Sequence, residues 1–345
     1  MTNVLILGNM SDMQTGVYLM KAFGKKVSNV IGIDVRKIVM EKGIMEGQKF
    51  IKEEIDDVEV FPSMIIVMKG MEVAYDTLEY LKGRFPDSIY VNLFFDVYFG
   101  DKPIWENTIA FNFIKFFDYF YCSLKGVADK MQEVGLTNAK WLPEAACAIH
   151  NKPVYMNYFQ EEYYGADVSF VGTIGNSLMH KKRLDILKKL SEEGYYFKIW
   201  GDIVGDRKFI PSELLKHHQN EKVINDKHSM VAQASLINLG IDQDNSIELS
   251  QSARMYRVML AGGLYLTGNV KGLEQMFNIN KEGEPITKDQ DLVVYYSEDD
   301  LINKIDYLLE HDSLRDAIRQ NGQKKVIEKH LFDHRVDELK KLLKK

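Results

Sequence analysis

The chain has 345 residues, of which 46% are hydrophobic and 27% charged, and its formal net charge is −6. This length predicts two domains, and the composition is typical of a globular protein with apolar cores. The acidic balance argues against a general nucleic-acid-binding protein, although it leaves room for a local basic patch.

The first 150 residues alternate strand-like and helix-like segments. Five short apolar or β-branched runs are typical of strands buried on both faces, namely residues 4–7, 30–35, 64–68, 89–95 and 119–123. Helical patterns lie between them, at residues 15–23 and 74–84. This βαβ rhythm predicts a parallel sheet, and no signal-peptide pattern precedes its first strand. We therefore predict a Rossmann-like domain over residues 1–150.

The rhythm stops at residues 151–165, which contain a proline, several tyrosines and no clear period. We interpret this segment as a linker between domains. The rhythm resumes over residues 166–323, with strands predicted at 167–171, 196–201, 235–240 and 264–267 and helices at 180–193, 254–261 and 300–310. The charged tail, residues 324–345, is predicted as one long helix.

The first strand ends at Gly8 without the G-x-G-x-x-G pattern of a dinucleotide site. A nicotinamide dehydrogenase therefore loses its main support. Asp34 stands at the end of the second predicted strand and would suit a ribose, but without those glycines we interpret it as a helix cap.

A glycine-containing loop in the second domain, residues 172–176, follows a predicted strand and precedes a helix. Backbone amides in such a loop, together with a helix N-terminus, form an anion site. Lys181, Lys182 and Arg183 follow after four residues, near the start of the predicted helix, where the helix dipole disfavours each cation by roughly 0.3–1 kcal/mol. The cluster therefore indicates an anionic ligand, and a solvated basic face is the alternative.

A second basic segment repeats this theme. Arg254 and Arg257 are three residues apart and share one face of a predicted helix. Gly262 and Gly263 follow, and residues without a side chain let a ligand approach the backbone. The alternative is a surface helix with two solvated arginines.

The sequence SARMYRVMLAGG at residues 252–263, followed by LYLT and by Gly272-Leu273-Glu274, resembles the donor-binding core of the CgeB-like glycosyltransferases, named for a spore maturation protein. Residues 141–145, 167–172 and 198–201 extend this resemblance. The layout is also similar to that of the T-even phage DNA β-glucosyltransferases. The resemblance implies an α/β fold of the GT-B type, in which two Rossmann-like domains face each other across a cleft and a C-terminal helix, residues 324–345, crosses back toward the first domain.

The resemblance also implies roles for individual residues. The donor diphosphate would be held by Gly172, Thr173, Arg183 with Lys181 or Lys182, and Arg254; Gly201 would contact the base, and Gly262 and Gly263 would lie near the sugar. Related enzymes usually have a glutamate at position 257 that grips the ribose, whereas Arg257 cannot accept a hydrogen bond. Either Glu274 or a nearby carboxylate takes over, or the nucleotide is held differently, or activity is lost.

Asp96 ends an apolar strand-like run, and ligands meet parallel sheets at the carboxyl ends of their strands. An inverting transferase needs a general base for the acceptor hydroxyl, and the phage enzymes carry an aspartate at a similar place. Asp96 is therefore the candidate base and Asp12 the second candidate. For either residue, a cap or turn role is the alternative.

Two Asp-x-Asp triplets, residues 242–244 and 289–291, could hold a metal ion in a GT-A enzyme. We interpret both as solvated acidic turns. We thus expect no metal and no cofactor, with basic side chains and helix N-termini stabilising the leaving nucleotide. The two cysteines, Cys122 and Cys147, form no metal-ligand pattern and predict free thiols in a cytoplasmic protein. No apolar run reaches the ~18 residues that a membrane span needs.

The sequence therefore predicts a metal-independent glycosyltransferase, a hexosyl- or pentosyl-transferase. The donor is a nucleotide-diphosphate sugar, with a UDP-sugar favoured, and the acceptor is a hydroxyl of a glycan, protein, small molecule or modified DNA. Two alternatives stay open. One is a phage-type DNA glycosyltransferase acting on hydroxymethylated bases, and the other is a non-catalytic protein that binds nucleotide sugars.

Overall fold

The computed structural model describes residues 2–12, 14–100, 102–175, 178–242 and 244–344, and it leaves the side chains of residues 178–181 undescribed. The chain divides into two compact units. The first unit is Met1–Glu144 together with Phe332–Lys345, and the second unit is Ala145–Leu331.

The first unit is built on a parallel sheet flanked by helices. Its elements are β1 (Asn3–Gly8), α1 (Thr15–Gly24), β2 (Asn29–Asp34), α2 (Val35–Lys42), α3 (Ile44–Asp56), β3 (Met64–Met68), α4 (Tyr75–Arg84), β4 (Ile89–Phe94), β5 (Tyr98–Phe99), β6 (Lys102–Pro103), α5 (Thr108–Phe116), β7 (Tyr119–Cys122), α6 (Lys125–Glu133) and β8 (Ala139–Trp141). The six-stranded sheet has the order β2-β1-β3-β4-β7-β8, and β5 and β6 form a small hairpin. All five strands expected here are confirmed within one residue. The runs of β1, β3 and β4 are almost wholly buried, whereas β2, at the edge of the sheet, is mostly exposed or half-buried.

The second unit repeats this plan with five parallel strands. Its elements are α7 (Tyr158–Tyr164), β9 (Val168–Val171), β10 (Ile174–Gly175), α8 (Leu178–Glu192), β11 (Phe197–Trp200), β12 (Ile203–Val204), α9 (Ser212–His217), α10 (Asp226–Ala234), β13 (Ile237–Gly240), α11 (Ala253–Leu260), β14 (Tyr265–Gly268), β15 (Val293–Tyr295), α12 (Glu298–Leu309) and α13 (Asp312–Lys329). The main sheet has the order β11-β9-β13-β14-β15, beside a short β10–β12 pair. Short 3-10 helices lie at Ile104–Glu106, Arg207–Phe209, Leu273–Gln275 and Lys341–Lys344.

The segment expected as a linker, residues 151–165, lies within the second unit and contains α7. This helix has a capping box, in which the Asn157 side chain accepts from the backbone N–H of Gln160 and the Gln160 side chain accepts from that of Asn157, both at 3.0 Å. The sequence contains this Asn-x-x-Gln capping signal, but the many tyrosines around it give the segment no helical period.

The tail is two helices rather than the single helix predicted over residues 324–345. Helix α13 ends at Lys329, and α14 (Phe332–Lys340) belongs to the first unit. The break has a local cause, since the His330 carbonyl accepts a hydrogen bond from Ala146 N–H at 3.0 Å and so leaves the helical pattern. In the first unit, Arg335 of α14 donates to the carbonyls of Pro143 and Glu144 at 2.8 and 3.0 Å.

In each sheet the strand order reverses once, so that successive strands are added first on one side of the starting strand and then on the other. The reversal lies between β1 and β3 in the first unit and between β9 and β13 in the second. In open α/β sheets, ligands bind outside the carboxyl ends of the strands at such switch points. Cys122 and Cys147 are buried and free, as expected. Within the described ranges, none of the helices has the length and apolar character of a bilayer span.

Candidate functional site

Two arginines meet at the switch point of the second unit. Arg254, near the start of α11, lies against the glycine that follows β9: a Cβ atom added to Gly172 would stand 2.8 Å from Arg254 Nη2. The Arg254 guanidinium also lies over the ring of Phe170, 4.9 Å from its centroid. Glycine at position 172 therefore admits the guanidinium close to the backbone.

Arg183 approaches the same point from α8. Its Nη1 donates to the Thr173 carbonyl, and its Nη2 donates to the Ile241 carbonyl at 3.3 Å. Thr173 follows β9 and Ile241 follows β13, so this single guanidinium bridges the two strands of the switch point. It also lies over the ring of Phe170, at 5.4 Å. Both arginines are thus fixed on one aromatic ring, at the edge of the sheet where ligands bind.

The positive charge of these arginines is only partly compensated. Neither Arg183 nor Arg254 forms an ion pair with a described carboxylate, and Arg183 Nε and Arg254 Nη1 are buried without a described hydrogen-bond partner. Burial, and secondarily the charge of Arg254, lowers the pKa of Arg183 to about 10, so the group stays protonated near neutral pH. Unpaired guanidinium donors at such an edge suit an anion that arrives from outside the protein.

Helix α11 adds to this field. Its N-cap residue, Ser252, makes no side-chain capping bond, and its first turn has no acidic residue. Its first backbone N–H groups and the positive end of its dipole therefore favour an anion. The positive charge of the arginines also acts on buried His228 of α10. Burial first, and then the charges of Arg257 and Arg254, lower the pKa of His228 to about 3.

Asp242 corrects the interpretation of the first Asp-x-Asp triplet as a solvated turn. Its side chain is 6% exposed, and Oδ1 accepts from the Ser252 backbone N–H at 3.1 Å. Its charge opposes the lowering of the Arg183 pKa. Asp244 is the exposed member and bonds Ser246, whereas Gln243 lies outside the described residues. Strand β13 ends at Gly240, just before the triplet. Of its two acids, Asp242 therefore lies beside the anion site and Asp244 faces solvent.

The second triplet is likewise not a fully solvated turn. Asp291 is buried and accepts from the Asn278 backbone N–H at 2.8 Å, and burial raises its pKa. Asp289 is exposed and accepts from the Asn278 side chain at 3.0 Å. The pair fixes a loop. Across the described part of the chain, no three His, Cys, Asp or Glu side chains are grouped as metal ligands.

Gly201 belongs to the same site as Gly172. It has φ +125°, and a Cβ atom placed on it would stand 2.6 Å from the Gly172 carbonyl oxygen. Only glycine fits both that backbone conformation and that contact. The structure thus brings five of the expected donor-site residues together, namely Gly172, Thr173, Arg183, Gly201 and Arg254.

The glycine pair that the resemblance places near the sugar follows the C-terminal end of α11. Gly262 has φ +88° and follows the C-terminal end of α11, where its N–H donates to Met259 O and that of Gly263 donates to Val258 O. A Cβ atom on Gly263 would stand 2.6 Å from the Ala232 carbonyl oxygen. The pair therefore closes α11 and packs it on α10, at the opposite end of the helix from Arg254.

The remaining expected donor-site residues are less closely placed. Lys182 and Glu274 are exposed, and the Lys181 side chain lies outside the described residues. Arg257 is part-buried on α11, one turn beyond Arg254 and near His228. Among these positions, the structure associates only Arg257 with the charge around the start of α11.

The first unit contains a separate site at the carboxyl ends of β3 and β4. Asp96 follows β4 and forms an ion pair with Lys69, which follows β3. Lys69 has φ +54°, a conformation that costs energy for a residue with a side chain and that clusters at functional sites. Fully buried Asn92 donates to the Lys69 carbonyl at 3.2 Å, which holds this turn in place. Asp12 is exposed in the loop after β1.

Three residues of these sites were not expected from the sequence. Phe170 lay within a predicted strand, but nothing in one sequence shows which ring a guanidinium will cover. Lys69 directly follows a predicted strand, and the rule that selected Asp96 could have selected it. Asp242 follows a predicted strand as well, and its place shortly before the second basic segment was the available signal.

Comparisons with known proteins agree with this fold. Residues 182–341 match the family model described as glycosyl transferase-like. No curated protein matches the sequence. Among solved structures, the chain is similar to HepE of Anabaena in complex with UDP and glucose, with 9% identity, a TM-score of 0.65 and coverage of 98% of this chain and 99% of that one.

Two further structures have the same architecture. The catalytic domain of starch synthase IV from Arabidopsis thaliana, bound to ADP and acarbose, has 10% identity and a TM-score of 0.69, over 99% and 98% of the two chains. An α-glucosyltransferase in complex with UDP-glucose and DNA containing an abasic site has 12% identity and a TM-score of 0.60, over 99% of both. The protein thus has the GT-B fold of glycosyltransferases, and its arginine site lies within and just before the segment that matches the glycosyl transferase-like model.

Proposed function

We propose that the protein is a glycosyltransferase whose second unit binds a nucleotide-diphosphate sugar, with UDP as the favoured nucleotide. The observation that carries this proposal is the convergence of Arg183 and Arg254 on Phe170, at the switch point and beside the uncapped start of α11. A diphosphate matches these donors in charge and geometry. The resemblance to the CgeB-like glycosyltransferases supports the same assignment.

The transfer step follows from this arrangement. The acceptor hydroxyl oxygen bonds to the anomeric carbon as the bond from that carbon to the diphosphate oxygen breaks. Asp96 is the proposed base that takes the hydroxyl proton, and the leaving nucleoside diphosphate keeps the electron pair. Arg183, Arg254 and the start of α11 stabilise its new charge, so the proposal requires no metal ion and no cofactor.

A thermal-shift screen with UDP, GDP, CDP, TDP and their sugars tests donor binding. A ligand that binds only the native state at ~100 times its Kd adds about 2.7 kcal/mol of stability. One nucleotide series should raise Tm clearly above the others. If no series does, the proposed function is wrong. Binding without transfer or hydrolysis over many acceptors would instead support the non-catalytic nucleotide-sugar protein.

A second candidate function is transfer to hydroxymethylated bases in DNA. It is motivated by the likeness to the α-glucosyltransferase that was solved with DNA. The net charge of −6 opposes it, since DNA binding needs a basic surface. Salt-dependent binding of a modified duplex, with transfer to it, would support this candidate, and absence of binding at low salt would remove it.

A further inference from the structure

Polar atoms without partners are concentrated beside the anion site. Six of them are buried without a well-aligned hydrogen bond to a described group, and we call their residues the polar cluster: Asp242 (Oδ2), Asn245 (Oδ1), Gln251 (Oε1), Ser252 (Oγ), Tyr265 (Oη) and Thr267 (Oγ1). Within this cluster, the Tyr265 hydroxyl lies close to the side chains of Ser252 and Arg254. Four of these residues are at least nine-tenths buried, with exposures of 6% for Asp242, 5% for Gln251 and 1% each for Tyr265 and Thr267. Buried polar atoms are normally paired, so a group of this size indicates that something polar binds there.

The cluster lies at the carboxyl ends of β13 and β14 and in the loop that leads to α11. Thr267 is the register partner of Gly240, the last residue of β13. The Tyr265 ring lies over that glycine, since a Cβ atom on Gly240 would clash with the Tyr265 hydroxyl oxygen. Asn245 packs on the other end of β14, with Nδ2 2.6 Å from a Cβ atom placed on Gly268.

The cluster adjoins the arginines. Asp242 accepts from the N–H of Ser252, two residues before Arg254 on the chain. Arg183 donates to the carbonyl of Ile241, the residue before Asp242. Burial first, and then the charge of Asp242, raises the pKa of Tyr265, whereas Arg254 lowers it. A group covalently attached to an anion held by Arg183 and Arg254 would therefore reach the cluster.

The chemistry of these atoms selects the ligand. The carboxylate oxygen of Asp242 and the amide oxygens of Asn245 and Gln251 only accept hydrogen bonds, and the three hydroxyls both donate and accept. Such a set requires a ligand with several O–H donors that can also accept. A phosphate at neutral pH offers almost no donors, whereas a sugar ring offers several. The buried charge of Asp242 repels a second carboxylate.

We propose that the polar cluster binds the hydroxyl groups of an uncharged sugar whose diphosphate lies on Arg183 and Arg254. The proposal rests on the proposed function, because it assigns the sugar of that donor to named side chains. It also excludes a sugar acid as the preferred donor. A cluster filled only by ordered water is the competing explanation.

The test measures Kd by calorimetry for UDP, three neutral UDP-sugars (glucose, galactose and N-acetylglucosamine) and UDP-glucuronate. If another nucleotide wins the thermal-shift screen, its corresponding ligands replace these. The wild-type protein should bind one neutral sugar nucleotide at least several-fold more tightly than the free nucleotide, and more tightly than the glucuronate.

Thr267→Val removes one hydroxyl at nearly constant shape. It should lower the preference for that sugar nucleotide over the free nucleotide by about 2- to 10-fold, as expected for one neutral hydrogen bond, and leave free-nucleotide affinity unchanged. Asp242→Asn should raise the affinity for glucuronate relative to the neutral sugar by about ten-fold. Asp244→Asn is the matched control, since it removes the same charge from the exposed acid of the same loop and should change neither ratio.

The outcomes separate the two proposals. If no nucleotide binds, the proposed function fails. If the nucleotide binds but the neutral sugar adds no affinity, or if Thr267→Val leaves the preference unchanged, the cluster holds only water and this inference is overturned. Equal binding of glucuronate by the wild-type protein overturns it too. Should Asp242→Asn fail to fold, Thr267→Val and the wild-type ratios still decide the matter.

Discussion

Replacing Arg254 by alanine should remove one charge-assisted contact of the anion site and so weaken nucleotide binding. A charge-assisted hydrogen bond is worth about 1.5–3 kcal/mol, so Arg254→Ala should weaken nucleotide diphosphate binding by about 10- to 150-fold. The free energy of unfolding should change much less. Arg254 pairs with no described carboxylate, and its loss removes a contact with Phe170 of about 0.5–2 kcal/mol while relieving repulsion on Arg183.

Calorimetry with the nucleotide selected by thermal shift measures this effect, and urea unfolding measures the stability. Arg254→Lys keeps the charge but loses the planar pair of donors, so its affinity should lie between those of the wild-type protein and the alanine variant. Arg36→Ala is the control, because Arg36 has the same charge and is half exposed in the first unit, where it pairs with Glu72. Unchanged nucleotide affinity in Arg254→Ala would refute the assignment of the anion site.

Asp96→Asn should reduce the rate of transfer by a factor of about 10²–10⁴. Nucleotide affinity and Tm should stay near those of the wild-type protein, because the ion pair of Asp96 with Lys69 is about half exposed and contributes little stability. Near-normal turnover would eliminate Asp96 as the base. EDTA should leave transfer unchanged, and loss of activity that Mn²⁺ restores would contradict the metal-free mechanism. Gly201→Ala should abolish nucleotide binding or folding, because the added Cβ atom would clash with the Gly172 carbonyl. Gly194→Ala is the control: Gly194 has φ +81°, but an added Cβ atom there would have no atom within 4 Å, so only backbone strain should lower its stability. Similar Tm values for the two variants would contradict this contrast. Between pH 6.5 and 3 the histidine of the unfolded chain is protonated, whereas buried His228 of the folded protein stays neutral. The free energy of unfolding should therefore decrease by up to about 1.4 kcal/mol for each unit by which the pH is lowered, and His228→Asn should reduce that decrease. Equal pH dependence of the two proteins in urea titrations would exclude His228 as the cause.

Most of the fold could be predicted from local pattern. The nine expected strands occur where the sequence has short apolar or β-branched runs, and most of these runs are buried in parallel sheets, as in β3, where all five residues are buried. Six strands were missed because they are too short for a pattern to emerge: β8 and β15 have three residues each, and β5, β6, β10 and β12 have two. Asp34 is the helix cap that the sequence indicated, with its carboxylate accepting from Lys37 N–H at 3.0 Å.

The candidate sites were predictable only in part. Arg183 and Arg254 could be found because cations near helix starts oppose the helix dipole. Their convergence on Phe170 depends on how α8 packs on β10 and α11 on β13 and β14, and the sequence alone does not show this packing. The Gly262-Gly263 pair has a structural role that the motif did not indicate, since its N–H groups end helix α11.

The first unit is discontinuous, and this affects how the protein is made. Its last helix, α14, follows the whole of Ala145–Leu331 on the chain. At typical synthesis rates of about 5–20 residues per second, the ribosome needs roughly 10–40 s to translate the intervening segment. During that time the apolar surface of α1 that Phe332 will cover, including the ring of Tyr18, stays open to solvent and to chaperones. Nascent chains stalled before residue 332 should therefore expose this surface even when the second unit has already folded.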